Sequence, residues 1–550
     1  MSLKNKINYF LGKNNSTYII LFLLILPSIV WVFLDNHVWP WDQAWYGEVS
    51  VNLYYNFVHS FSNWSTVMIG AFGIKAPAIA WFGQFFVPLS NIVGSVDRAL
   101  MLQIILVQFL SLVLIYKIVF KLTKGEKTLA LLGSLIMASA PLFVGMNHQY
   151  FVESSQLFAV TILIFIMVNI QRWNRYDSIL SLIFISSYLM LIKISSPLYV
   201  VFPSLTILYY LIKNSREVKF RDYFKEKKHI FFYIIGFLFA FSVFDWYFVN
   251  WNSIYNFVKS ASSGSAAELY GSKESFLKKI EFWLSYFQAS FFVPTVAYVI
   301  YLLAGVFSVN YFFKRKKFNF DKLISLPVLS VFSIAIVLLV FSFQINQETR
   351  YLLPILPYVV IVICWLLYAI NNKWLNRFLI VAFVVQFMLV NGITLGLMRG
   401  NAQNISPYIS PWDVPLQRNS NQKNNIELII SKTCNTGSMN KINIVGVEFP
   451  WLNENSVEYY ATQKKLNTNI QCYYTSLGYA ETDLNKALEK FNLIKPPYFI
   501  TVFPDSLQKV DTFNAVSIPV AKFIMKDKEF SKQNLPYQTP VLIFNNNNQR

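Results

Sequence analysis

The chain has 550 residues, of which 55% are hydrophobic, 18% aromatic and only 14% charged, and its mean hydropathy is +0.42. That balance excludes an ordinary water-soluble domain, because repeated apolar runs of about 18 residues or more indicate membrane-spanning helices. A net charge of +19 would suit a nucleic-acid partner, but the basic residues cluster in short segments between the apolar runs, which is the signature of membrane orientation.

The first 34 residues place Lys4, Lys6 and Lys13 before an apolar stretch. No small-x-small cleavage site follows, so the stretch reads as an uncleaved first helix, 18–34. Further spanning helices are expected at 97–120, 128–145, 151–170, 178–192, 197–212, 230–248, 285–308, 323–343, 352–370 and 376–396. Eleven spans put the two ends of the chain on opposite sides. Seven Lys and Arg fall between Lys213 and Lys228 and five between Lys314 and Lys322. The opposite side carries only eight up to Tyr351, namely Lys75, Arg98, Lys193, Lys259, Lys273, Lys278, Lys279 and Arg350. The asymmetry puts the amino terminus in the cytoplasm and the segment beyond residue 396 outside it.

The first outer loop, 35–96, opens with Val38-Trp-Pro-Trp-Asp-Gln-Ala-Trp-Tyr-Gly-Glu48. Asp42 there reads either as a helix N-cap or as a general base, with Tyr46 one turn on along the same face and Glu48 close behind. The stretch from Trp45 to Phe61 is too polar to span and suits an amphipathic helix on the membrane surface. Lys75, the sole Lys or Arg between Lys13 and Arg98, is a point charge suited to a lipid phosphate, or a snorkelling interfacial lysine.

Glu153 begins the fourth helix, where the dipole favours a carboxylate, and His148 precedes it by five residues. A His and Glu pair is too little for a metal site, so no metal ligands are assigned and a divalent metal is left open. Lys193 and Asp245 map to outer helix ends. Outer loop 249–284 has a flexible centre at Ala261-Ser-Ser-Gly-Ser-Ala-Ala267. In Glu348-Thr-Arg350 the guanidinium suits a phosphate in a bidentate grip, or pairs with Glu348. Charges within membrane segments are costly and point to function. Asp42, Lys75, Glu153, Lys193, Asp245, Glu348 and Arg350 would line one outward cavity.

Beyond residue 397 the composition turns polar and Asn-rich. Strands are expected at 441–447 and 497–503 and a helix at 481–492, a small α/β domain over 397–550. It has no Gly-rich phosphate loop. Cys434 and Cys472, 38 residues apart, could pair in an oxidising compartment.

Four features together resemble the GT-C superfamily of polytopic glycosyltransferases, and within it the bacterial relatives of the dolichyl-phosphate-mannose protein mannosyltransferases and of the lipid A aminoarabinose transferase. They are Asp42 with Tyr46 and Glu48, Lys75-Ala-Pro77, Ala140-Pro-Leu142 with Glu153, and Arg350-Tyr-Leu-Leu-Pro354. Lys193 falls where these proteins carry a Leu-x-Lys turn. The likeness covers roughly residues 20–395. It departs at Gln43, where the family has a second acid, at Lys75-Ala-Pro, where it has Lys-Pro-Pro, and at Glu153, where Asp is common. The resemblance implies a catalytic domain over 1–396 in the plasma (inner) membrane. The implied reaction is inverting sugar transfer from a polyprenyl-phosphate donor to a glycan, lipid or protein acceptor at the outer face. Asp42 would be the base, Lys75, Lys193 and Arg350 would hold the phosphate, and Glu153 would orient the acceptor or Asp42. The competing expectation is a transporter or flippase of lipid-linked sugars.

Overall fold

The computed structural model describes residues 15–213, 226–263, 265–313, 325–397, 416–434, 441–478, 480–503, 512–535 and 539–549. Lys4, Lys6, Lys13 and the basic segments 214–225 and 314–322 lie outside the described residues, as does residue 264 in the expected flexible loop centre. The chain divides into two compact units. One comprises Met1–Phe33, Met68–Ile79 and Met101–Pro415; the other comprises Leu34–Val67, Ala80–Leu100 and Leu416–Arg550.

The first unit is helical. Among the described residues nine helices are long and apolar enough to cross a membrane, or up to eleven if two bent pairs each count as one span. The eleven correspond in order to the eleven expected spans, and three of them correct the sequence reading. The span expected at 128–145 is broken by 64° between Lys127–Ser139 and Pro141–Asn147, and that at 285–308 is bent by 107° between Phe276–Phe291 and Pro294–Leu302. Both breaks stand before a proline, which lacks an N–H and pushes its predecessor out of the helical region. Ala140, the predecessor of Pro141, is extended (φ −65°, ψ 126°), and at the other break Phe292, two residues before Pro294, is extended as well (φ −138°, ψ 137°). The helix expected at 230–248 runs from Lys227 to Ser263. Nothing in Val249–Ser263 is Gly or Pro, so the helix continues into the segment expected to be outer loop. Its 37 residues span roughly 55 Å.

Breaks in membrane helices leave backbone groups that water cannot reach and that a neighbour must satisfy. Gln386, buried on the Lys373–Thr394 helix, does this for both bends. Its Nε2 donates to the Ser139 carbonyl (3.1 Å) and the Phe291 carbonyl (3.0 Å), and its Oε1 accepts from the Val293 N–H (3.0 Å). Gln386→Leu strips all three groups of their partner. At about 1–3 kcal/mol for each buried polar group left unpaired, it should lower the melting temperature of the detergent-solubilised protein well beyond the effect of substituting a lipid-facing neighbour such as Val385, which is 50% exposed. An unchanged melting temperature would refute this role.

The second unit carries a five-stranded mixed sheet in the order β2-β1-β3-β5-β4. The strands are β1 (Ile442–Val445), β2 (Tyr473–Ser476), β3 (Tyr498–Val502), β4 (Phe530–Lys532) and β5 (Val541–Asn546). β1 runs parallel to β2 and β3, and β5 runs antiparallel to β3 and β4. Apolar side chains of β1, β3 and β5 (Ile444, Phe499, Leu542, Phe544) share one core with Ala487 and Phe491 of the Leu484–Ile494 helix and Val520 and Ile524 of the Ser517–Lys526 helix. A disulfide joins Cys434 to Cys472, with Cα atoms 5.6 Å apart.

The expected helix over 45–61 forms as Trp41–His59. Ala44, Gly47, Ser50 and Val51 recur at spacings of three, three and one and are buried, the stripe a packed helix presents. That helix packs on the tail helix Glu454–Thr468. Contact is close enough that a Cβ on Gly47 would lie 2.6 Å from the Tyr459 ring, so only glycine fits.

Candidate active site

In the first unit the ends of three helices bring four of the sequence-predicted residues together. Glu153 lies in the first turn of Val152–Asn169, Lys193 caps the end of Arg175–Ile192, and Glu348 and Arg350 flank the start of the 3₁₀ segment Thr349–Ile355. Glu153 is 1% exposed. Lys193 Nζ donates to its Oε1 at 2.8 Å, and Arg350 Nε lies 3.5 Å from the same oxygen and 3.1 Å from Glu348 Oε2. Each cation also sits on an aromatic face, Lys193 3.7 Å from the Tyr351 ring centroid and Arg350 4.5 Å from that of Phe151. A cation over a ring face is attracted by the ring quadrupole, so carboxylate and ring together fix each head group. Tyr351 is fixed in turn, its carbonyl accepting from the Tyr199 hydroxyl at 2.8 Å. Lys193 and Arg350 keep side-chain exposures of 23% and 19%, so both cations reach solvent. Glu153 Oε2 has no hydrogen-bond partner among the described residues.

The same unit holds Lys75, His148 and Asp245. His148 is buried and stacks on Trp31, ring centroids 4.2 Å apart and planes within 11°. Lys75 ends a bend whose start is hung on the Lys227–Ser263 helix, with the Trp246 indole donating to the Ala71 carbonyl (3.2 Å) and Asn250 Nδ2 to the Ile69 carbonyl (3.1 Å). Asp245 is the neighbour of that Trp246, half-buried on the same helix.

In the second unit Asp42 lies in the first turn of Trp41–His59. The N-cap is Pro40, which makes no side-chain cap bond, so the reading of Asp42 as the N-cap is corrected. A carboxylate one position inside the helix still gains from the dipole. Tyr46 is buried one turn on. Glu48 accepts from Asn52 Nδ2, and Asn52 Oδ1 accepts from Lys465 Nζ at 3.3 Å. Among the described residues no group of three or more His, Cys, Asp or Glu side chains is placed to hold a metal ion.

Sequence reasoning missed Tyr351, Asp97 and Glu448. Asp97 is bonded by Lys423 Nζ (2.8 Å), Tyr459 Oη (2.7 Å) and Gln463 Nε2 (2.8 Å), all from the tail. Its only signal was an acid opening a long apolar helix. Glu448, 6% exposed, accepts from the Trp41 indole at 3.0 Å. Burial, reinforced by Glu454, pushes the Glu448 carboxyl up to about 7, and burial also pushes Glu48 up to about 7 against the opposing pull of Asn52 and Lys465. A carboxyl raised when folded binds protons that the unfolded chain has lost, so its stabilisation is complete below the ordinary carboxylate range and is lost as pH rises through about 7. Amide exchange in 442–476 should therefore quicken, beyond its intrinsic pH dependence, between pH 5 and 8. Glu48→Gln with Glu448→Gln should flatten that excess; a profile unchanged by both would refute the assignment.

Residues 74–247 match the family model described as dolichyl-phosphate-mannose-protein mannosyltransferase. The structure is similar to that of ArnT from Cupriavidus metallidurans bound to undecaprenyl phosphate, with a TM-score of 0.54 and 12% identity over 97% of this chain and 98% of that one. The apo state of that protein gives 0.55, 12%, 97% and 99%. No curated protein matches the chain by sequence. At such identity the likeness is one of fold, and it extends over nearly the whole length of both chains, tail included. The chain is therefore a polytopic helical membrane protein with the GT-C fold, similar to the protein-mannosyltransferase-like and aminoarabinose transferase-like glycosyltransferases.

Proposed function

We propose that the protein transfers a sugar from a polyprenyl-phosphate donor to an acceptor at the extracytoplasmic face of the plasma membrane, with inversion at the anomeric carbon. The observation that carries this reading is the pair of partly exposed cations, Lys193 and Arg350, gathered on one buried carboxylate, Glu153. The fold likeness adds weight, since the ArnT structure holds undecaprenyl phosphate. The disulfide between Cys434 and Cys472 suits an oxidising compartment.

In a single displacement the acceptor oxygen or nitrogen attacks the anomeric carbon as the bond from that carbon to the phosphate oxygen breaks. The phosphate leaves with the lipid, and its growing negative charge is what fixed cations stabilise. Lys193 and Arg350 take that role, with Lys75 as a further point charge on the lipid phosphate. Asp42 takes the acceptor's proton, and one base suffices because no second displacement follows. Glu153 sets the two cations, and Glu348 shares Arg350 with it. Tyr46, Glu48, His148 and Asp245 are assigned to substrate surroundings, with no part in the chemistry.

The test is transfer of radiolabelled sugar from a synthetic polyprenyl-phosphate sugar by the protein in detergent, with a cell-envelope extract as acceptor. Label appearing in an acceptor fraction supports the reading. Movement of intact lipid-linked sugar across liposomes without transfer would replace it with a flippase.

A further inference from the structure

The tail's contribution follows from how residues 35–42 are held. Asp35, Asn36, Trp39 and Trp41 of that stretch are each held by the tail within the second unit. The Asn36 N–H donates to the Gln417 carbonyl (2.8 Å) and Asn36 Nδ2 to the Arg418 carbonyl (2.7 Å), while the Gln417 N–H returns a bond to Asp35 Oδ1 (3.0 Å). Trp39 stacks on Tyr459 with planes within 11°; its N–H reaches the Tyr460 hydroxyl (3.3 Å), and its carbonyl accepts from Ser456 Oγ (2.7 Å). The last contact before Asp42 is the Trp41 indole on Glu448.

Trp41 has φ +27°, a left-handed backbone that a bulky residue adopts only when its surroundings impose it. This residue sets the direction in which the helix starts, and Asp42 is the next along it. Glu448 in turn is fixed from behind, its N–H on Asn514 Oδ1 (2.8 Å) and its carbonyl accepting from Asn514 Nδ2 (3.1 Å). These contacts lie outside the sheet's apolar core, which gathers around β1, β3 and β5.

We propose that the tail is a positioning scaffold for the proposed base: Glu448, through its hydrogen bond from the Trp41 indole, holds Trp41 in its left-handed conformation and so aims Asp42. Glu448 and Trp41 are positioning residues, not catalytic ones. The inference rests on the reading of Asp42 as the base. It also gives the sheet a part in turnover without any substrate contact.

The test uses the full chain in detergent with the transfer assay above. Trp41→Phe keeps an aromatic ring, smaller than the indole, and removes the N–H; Glu448→Leu removes the acceptor; Glu448→Gln keeps an acceptor oxygen of the same reach. Misaiming a reacting group by about 1 Å costs on the order of 100-fold, so Trp41→Phe and Glu448→Leu should each lower kcat about 10- to 100-fold. Donor KM should stay within about threefold, the double variant should be no worse than either single one, and Glu448→Gln should retain near-normal kcat. Resistance of the Cys434–Cys472 disulfide to reduction without denaturant should be unchanged, and loss of that resistance together with failure of Glu448→Gln to rescue would reduce Glu448 to a folding role and overturn the proposal. Normal kcat in Trp41→Phe and Glu448→Leu, with Asp42→Asn inactive, would overturn it while leaving the base in place. Full activity in Asp42→Asn would overturn the base reading and this inference with it.

Discussion

Asp42→Asn should lower kcat for sugar transfer by about 10²- to 10⁴-fold, the range that positioned general-base catalysis supplies, with donor KM little changed. The amide is isosteric with the carboxylate and keeps an acceptor oxygen, so the first turn of Trp41–His59 should survive and the loss should fall on proton removal alone. Asp42 is the proposed base, in the first turn of a helix whose dipole stabilises its ionised form. Gln43 follows it, so no adjacent acid can take over. A strongly nucleophilic acceptor, deprotonated before attack, should recover much of the loss. Steady-state transfer at fixed donor concentration measures this, and activity within twofold of normal would remove Asp42 from the mechanism.

The second large effect is expected at Glu153. Replacing it by leucine leaves Lys193 and Arg350 facing each other without the carboxylate that holds both. Removing one partner of a buried ion pair costs about 3–5 kcal/mol. Because both cations reach solvent, the low end of that range applies. Transfer should fall further than stability, since the two head groups would separate and Arg350 would turn wholly to Glu348. Glu153→Gln, which retains an acceptor for Lys193, should lie between the two. A melting curve in detergent beside a transfer assay separates the effects; a leucine variant as stable and as active as the parent would show that the cluster neither holds the bundle nor serves the reaction.

Much of this was legible in the residues. Apolar runs marked the spans, and the cluster of Glu153, Lys193, Glu348 and Arg350 could be anticipated because charges at helix ends in a membrane protein must find each other. Which charge pairs with which could not, since a Lys to Glu contact across 40 residues leaves no periodic trace. The same limit hid the tail's hold on 35–42. Only packing shows that Trp39 stacks on Tyr459 and that the Trp41 indole reaches Glu448. The bends were read as continuous helices because hydropathy does not register a change of direction, and β5 was overlooked because its apolar run is short and lies among asparagines.

Gln386 has a mechanical meaning beyond its hydrogen bonds. A single amide ties the Ser139 break to the break at Phe291 and Val293. Neither elbow can straighten or slide without surrendering the fastening of the other, so the two behave as a riveted joint. Whatever rocking the bundle undergoes during turnover must leave that joint intact or open both elbows at once.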